Sequence, residues 1–209
     1  MISHALSIIV NELNNFLAKS FNAQTPQVKL GNIAEGFASG AGATGLSRDM
    51  VYLSIVNIKE EKTLKNVPNY VRNDVTLRAT YENPPVFLNF MTLFTSTYTD
   101  YTNALLMLSR VIRFFQFRNS FNQDNVAPTS ITNSSPVNDA DKLETFKLIF
   151  DIYSATMEEV NYLWATLGGK QYPFALYVMR MLDLKFKASQ SESGLITEVV
   201  SDFFHKQQV

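Results

Sequence analysis

Between residues 3 and 21 the apolar side chains return every three or four positions, at Leu6, Ile9, Val10, Leu13, Phe16 and Leu17. That is the period of a helix with one buried face, and Ser3 stands where it could cap the first turn. The segment VKLGNI after it reads as a short strand. In MVYLSIVNI both alternating sets of positions are apolar, so a central strand covered on each side is expected. The polar, proline-containing KEEKTLKNVPNYVRND reads as a long excursion, with β-forming residues resuming at Thr76 to Tyr81.

Pro84 and Pro85 punctuate the chain before VFLNFMTLFTST, a second strand apolar on both faces. DYTNALLMLSRVIRFFQF is a helix without a polar side. At about 100° per residue, Ala104, Leu105, Leu108, Val111, Ile112 and Phe115 form the arc expected to meet a sheet. Leu106, Met107, Arg110, Arg113, Phe114 and Phe117 fall on an outer arc. Residues 119–141 lack apolar periodicity and carry two prolines, which predicts a surface loop or hairpin tip. Phe146, Leu148, Phe150 and Ile152 alternate with polar neighbours, as in a half-buried strand. MEEVNYLWATL reads as a helix stopped by Gly168 and Gly169, and PFALYVMRMLDLKF as the last main strand. The tail after residue 190 pairs a soluble spacer with an amphipathic piece bearing Leu195, Ile196, Val199, Val200, Phe203 and Phe204.

Strands and helices intersperse without an internal repeat. The expected fold is α/β or α+β: one domain over residues 1–190 with helices against a single mixed sheet, and a docking tail over 191–209. A chain of 209 residues is long enough to bury a core of its own. Charged residues make up 18% while Phe and Tyr number 16 and 9, so the charged surface is thin and apolar contact area is in excess. A net charge of −1 argues against binding nucleic acid through a bulk basic footprint. With no cysteine, disulfides, thiolate chemistry and the common structural zinc sites are excluded. The longest apolar run, FALYVM, falls far short of the roughly 20 residues of a membrane helix. MISHALSII lacks a basic region and a cleavage site, so synthesis and assembly in the cytoplasm are expected.

Candidate chemistry is sparse. GAGATG places Gly40, Gly42 and Gly45 in the dinucleotide-binding spacing, but that motif works only where a strand feeds the first glycine and a helix opens after the last. Here a strand-like run follows, so a connecting loop is expected and no cofactor. His4 and His205 lie at opposite ends with no metal-ligand spacing, and both read as surface residues. Glu60–Glu61 and Glu158–Glu159 are neighbours in sequence and so diverge in space, the second pair suiting a helix N-terminus. GGK at Gly168–Lys170 lacks the earlier glycine of a phosphate loop, and Trp164, one helical turn from Val160, belongs in a core. No catalytic or metal site is expected. Aromatics mixed with arginine are the composition of protein interfaces, which makes the outer arc of residues 106–117 the main candidate contact surface, with Leu195, Val199, Phe203 and Phe204 of the tail as the second.

Three segments carry a family likeness: VNIKEEKTLKNVPNYVR, PPVFLNFMTLFTSTYTDYTNALLMLSRVIRFFQ and MEEVNYLWATLGGKQYPFALYVMRMLDL. In order and spacing they resemble the cap, or tube-terminator, proteins of extracellular contractile injection systems, the phage-tail-like particles, over roughly residues 1–187. The resemblance implies a fold similar to phage tail terminators. It also implies a structural role: a hexameric ring at the end of tube and sheath distal from the baseplate, which ends their polymerisation. Its implied partners are further copies of itself, the inner tube protein and the sheath protein, within a bacterial particle that is either released or membrane-anchored. An adaptor between the tube end and another cap component is the alternative.

Overall fold

The computed structural model describes residues 1–38, 45–64, 68–143, 145–185, 191–194 and 198–201. Its strands are β1 (Val28–Leu30), β2 (Val51–Glu60), β3 (Tyr70–Asn73), β4 (Arg78–Tyr81), β5 (Val86–Ser96), β6 (Ser120–Asn122), β7 (Lys147–Tyr153), β8 (Phe174–Leu184) and β9 (Ser191–Gly194). Its helices are α1 (Ile2–Phe21), α2 (Tyr101–Phe117), α3 (Pro128–Thr132) and α4 (Met157–Thr166). Six strands form the main sheet in the order β1-β2-β5-β8-β7-β6, where β1 runs parallel to β2 and every other pair is antiparallel. The mixed sheet with helices against it is the architecture expected.

Alternation along the strands splits the core in two. Leu53, Phe94, Tyr177, Met179, Leu148 and Phe150 point to the face covered by α1 and α2. Their neighbours Tyr52, Leu93, Phe174 and Leu176 point to the opposite face, where Leu163 and Trp164 of α4 cover them. Trp164 is therefore a core residue, packed with Val160 as its spacing implied. β5 and β8 hold the middle of the sheet. β2 lies one strand in from the edge and is buried only over Val51–Leu53, its second half emerging into solvent, so the expectation of a central strand covered throughout is corrected.

Helix α1 begins at Met1 without a side-chain cap, so Ser3 lies within the first turn and not at the cap position expected of it. It ends on Asn22 in the left-handed region (φ 54°), one of the few non-glycine types that tolerate it. Asn14, on the same helix, accepts hydrogen bonds from the N–H groups of Gln27 (2.9 Å) and Val28 (3.0 Å) and donates to the Val28 carbonyl (2.9 Å). An amide side chain thus takes the place of a neighbouring strand beside β1 and blunts that edge against stray pairing.

The segment expected to be a surface loop or hairpin tip, 119–141, is built into the fold. It contains β6 and α3, and it buries Phe121, Val126 and Ser130. Polar groups of α1 hold it. Glu12 is 8% exposed and accepts from the Ala127 N–H (3.0 Å) and the Ser130 hydroxyl (2.6 Å), while its second oxygen meets Arg118 at 3.3 Å. Asn11 and Asn15 donate to the Ser130 carbonyl and hydroxyl, each at 3.0 Å. His4 is not a surface residue but 1% exposed: its Nε2 lies 2.9 Å from the Ile131 carbonyl and its Nδ1 accepts from the Leu143 N–H at 3.0 Å. With Nδ1 as acceptor and Nε2 as donor, the ring ties α1 to Ile131 within the segment and to Leu143 just beyond its end. His205 lies outside the described residues.

A second, three-stranded antiparallel sheet, β3-β4-β9, was not expected. The excursion after β2 returns as the β3–β4 hairpin, and Ser191–Gly194, expected to be a soluble spacer, pair with β4 as β9.

Candidate assembly surfaces

Among the described residues no helix is long and apolar enough to cross a membrane, and no group of three or more His, Cys, Asp or Glu side chains is placed to hold a metal. Gly40 and Gly42 lie outside the described residues. After Gly45 the chain enters β2 with no helix between, so the setting that would aim backbone N–H groups at a pyrophosphate is missing. Gly168 and Gly169 end α4 with φ of 101° and 77°, and the Gly169 N–H bonds the Trp164 carbonyl at 2.8 Å, the helix stop expected of them. What the chain offers instead is surface.

Helix α2 starts on Asp100, whose carboxylate accepts from the Thr102 and Asn103 N–H groups. Its buried face is Ala104, Met107, Val111, Phe114 and Phe115. Two members of the expected outer arc are thus corrected: Met107 and Phe114 are 4% and 3% exposed and face inward. The reason is lateral packing. Phe16 of α1 packs tilted against Phe114 at 5.3 Å and Phe121 of β6 stacks on it at 5.5 Å, so the core side of the helix meets α1 and β6 as well as the sheet. Leu105 and Ile112, assigned to the sheet-facing arc, are in consequence exposed. Leu106 is exposed as expected, and Phe117 is 71% exposed with one face of its ring on Phe16. Arg110 is half-buried and lies over the Phe21 ring at 4.4 Å, a cation–π contact that ties it to its own subunit. Arg113 is exposed and has no ion-pair or hydrogen-bonding partner among the described residues. The outward strip of α2 is therefore Tyr101, Leu105, Leu106, Ile112 and Phe117 around one unpaired cation.

A second apolar surface lies on the other face of the sheet. Met157 and Tyr162 of α4 are 80% and 66% exposed, and Tyr162 borders a cleft of about 340 Å³ walled by Val56, Met91, Leu163 and Leu176 with Lys59 and Glu159 at its polar side. The helix is placed by a reciprocal cap, in which the Thr156 hydroxyl accepts from the Glu159 N–H and the Glu159 carboxylate accepts from the Thr156 N–H at 2.9 Å. Those bonds from Thr156, with another from the Tyr153 hydroxyl, hold the Glu159 carboxyl below its ordinary value. A depressed carboxyl stabilises the cap fully above that ordinary value and loses its contribution as pH falls through the lower folded one. Thr156→Ala is expected to cost about 1 kcal/mol in denaturant unfolding, and an unchanged midpoint would remove the cap from the account. Sequence spacing alone carried this signal, because Thr156 and Glu159 form the T-x-x-E pattern ahead of an apolar run.

A third surface is the small sheet, where Tyr70, Val71, Leu77 and Tyr81 are exposed and the two tyrosine rings lie 6.3 Å apart. Of the tail residues expected to dock, Val199 is 78% exposed, while Leu195, Phe203 and Phe204 lie outside the described residues.

Known structures share this fold. The PVC sheath/tube terminator of an extracellular contractile injection system, in its extended state, matches 100% of this chain with a TM-score of 0.63 at 13% identity. The anti-feeding prophage tube-terminating cap matches 93% of it with a TM-score of 0.51 at 14% identity. The chain spans 65% and 60% of those two proteins. No curated protein matches the sequence. The Pvc16 N-terminal domain family matches residues 5–198, and with that the resemblance carried by the three quoted segments is borne out: the chain belongs to the Pvc16 N-terminal domain family.

Proposed function

We propose that this protein is a structural cap of a contractile injection system, seated as a homo-oligomeric ring, hexameric by the family resemblance, on the ends of tube and sheath distal from the baseplate. The observation that carries this reading is the match of the entire chain to a sheath/tube terminator. The surfaces suit the role. Exposed apolar strips occur on both faces of the main sheet and on the small sheet, and each serves an assembly better than an isolated subunit. The protein works without a reactive centre or cofactor, by the shape of its contacts. In this reading the tail around Leu195 to Phe204 is a docking arm that reaches a neighbouring subunit or the sheath.

Deleting the gene from a producing cell tests the role. Particles made without the protein are expected to have tubes and sheaths of broad, uncontrolled length with open distal ends, and supplying the full chain restores a single length. Unchanged lengths and closed distal ends in its absence would overturn the proposal.

A further inference from the structure

Two of the exposed strips differ in the sign of their charge and lie on opposite faces of the main sheet. Helix α2 carries Arg110 and Arg113 and no acidic residue, and Lys19 and Arg118 stand beside its Phe117 end. Helix α4 carries Glu158 and Glu159 and no basic residue. Most of these charges are already engaged within the subunit. Arg110 lies on Phe21, Arg118 on Glu12, and Glu159 holds the helix cap with Lys59 acting on it across the cleft. Among the described residues that leaves Arg113 on α2 without a partner, and on α4 Glu158, which accepts from the Tyr162 hydroxyl at 3.3 Å. Each stands in an apolar field: Leu106, Ile112 and Phe117 around the arginine, Met157 and Tyr162 around the carboxylate.

We infer that α2 of one copy packs on α4 of the next, so that Arg113 meets Glu158 of the partner subunit and Phe117 enters the cleft beside the partner's α4. The occupant is a second copy because both halves of the contact, complementary in charge and alike in apolar character, are present on one chain. Since the halves lie on opposite faces, the contact is head-to-tail. Repeated, such a contact closes into a ring or runs on as a filament, and closure is what distinguishes a cap from a polymer. This inference rests on the cap reading and supplies its subunit contact.

Charge reversal tests it, with the full chain measured by mass in solution and on tube ends. Arg113→Glu and Glu158→Arg, both at exposed positions, are each expected to raise the concentration for half-assembly about tenfold or more, through like-charge contact. The two together on one chain are expected to restore it, as every copy then offers the reversed pair. The absence of cysteine gives a second readout. A chain with Arg113→Cys and Glu158→Cys, treated with a short thiol cross-linker, is expected to give a ladder that stops at the ring size, and either substitution alone no ladder. Rings that ignore both single reversals, or a double reversal no better than the singles, would overturn the contact and leave the cap reading standing. A ladder that continues without closing would keep the contact and overturn the cap.

Discussion

Phe115→Ala is expected to lower the stability of the chain by about 3–5 kcal/mol, the range for removing a large aromatic ring from a core that cannot collapse around the gap. Phe115 is the hub of the larger core. Its ring lies 4.7 Å from Phe150, 4.6 Å from Tyr177, 5.1 Å from Phe94 and 5.0 Å from Phe114, joining helix α2 to strands β5, β7 and β8 at once. Burial there also pushes the Tyr177 phenol up to about 12, so its neighbour stays neutral across the ordinary pH range. Phe121 of β6 meets the Phe115 ring edge-on at 6.2 Å, so the site is enclosed on that side too. The control is Phe117→Ala on the same helix. Its ring is 71% exposed and keeps one stacking contact, with Phe16, so its loss is expected to cost only about 1 kcal/mol. Denaturant unfolding of both variants reads the difference, and equal losses would contradict the assignment of α2's inner and outer faces.

That assignment shows where sequence periodicity stops. α2 is apolar nearly all round, with Leu105, Leu106, Met107, Leu108, Val111, Ile112, Phe114, Phe115 and Phe117 in one helix. A helix was legible in the spacing, but a pattern with no polar side cannot say which side is buried. The choice is made by Phe16 and Phe121, which arrive from distant segments and draw Phe114 inward. Strand β7 was legible from its alternation, and β5 because both of its faces are apolar and each face of the sheet has its own cover. The candidate surface was half legible. Arg113, Leu106 and Phe117 do point outward, whereas Met157 and Tyr162 of α4 carry no signal in sequence, since exposure of an apolar residue depends on what fails to cover it.

The second sheet and the segment 119–141 were missed on a shared physical ground. Strand-forming residues were legible at Thr76 to Tyr81, but the stretches around them and 119–141 are mostly polar, and a polar stretch reads as a loop unless its hydrogen-bond partners are known. In the small sheet the pairing of β9 with β4 joins residues more than a hundred positions apart, so no local pattern announces it. In 119–141 the partners are polar side chains of α1 that local periodicity placed on the helix's solvent side. Burial of a few such groups, each satisfied, fixes the position of a whole segment whose own apolar content is low.

Glu12→Ala should therefore act far from its place in the sequence. The substitution removes the acceptor of the Ala127 N–H and the Ser130 hydroxyl and, among the described residues, leaves Arg118 only the Asn125 carbonyl, at 2.7 Å. One buried donor and one half-buried donor without partners, plus one broken ion pair, set the cost at about 2–3 kcal/mol. Because Arg118 keeps about a third of its side chain in solvent, the ion pair itself is the smaller share, and the two donors dominate. Glu12→Gln separates the shares: the amide oxygen can still accept from Ala127 and Ser130 while the charge is gone, so it is expected to recover more than half of the loss. Hydrogen exchange gives the local reading. The Ala127 amide is expected to lose protection in Glu12→Ala before the amides of β5 and β8 do, because α3 would open while the central strands stay paired. Uniform loss of protection along the whole chain would instead mean that α1 and the 119–141 segment unfold only together with the sheet, and Glu12 would then be a support of the global core and not the tether of one segment.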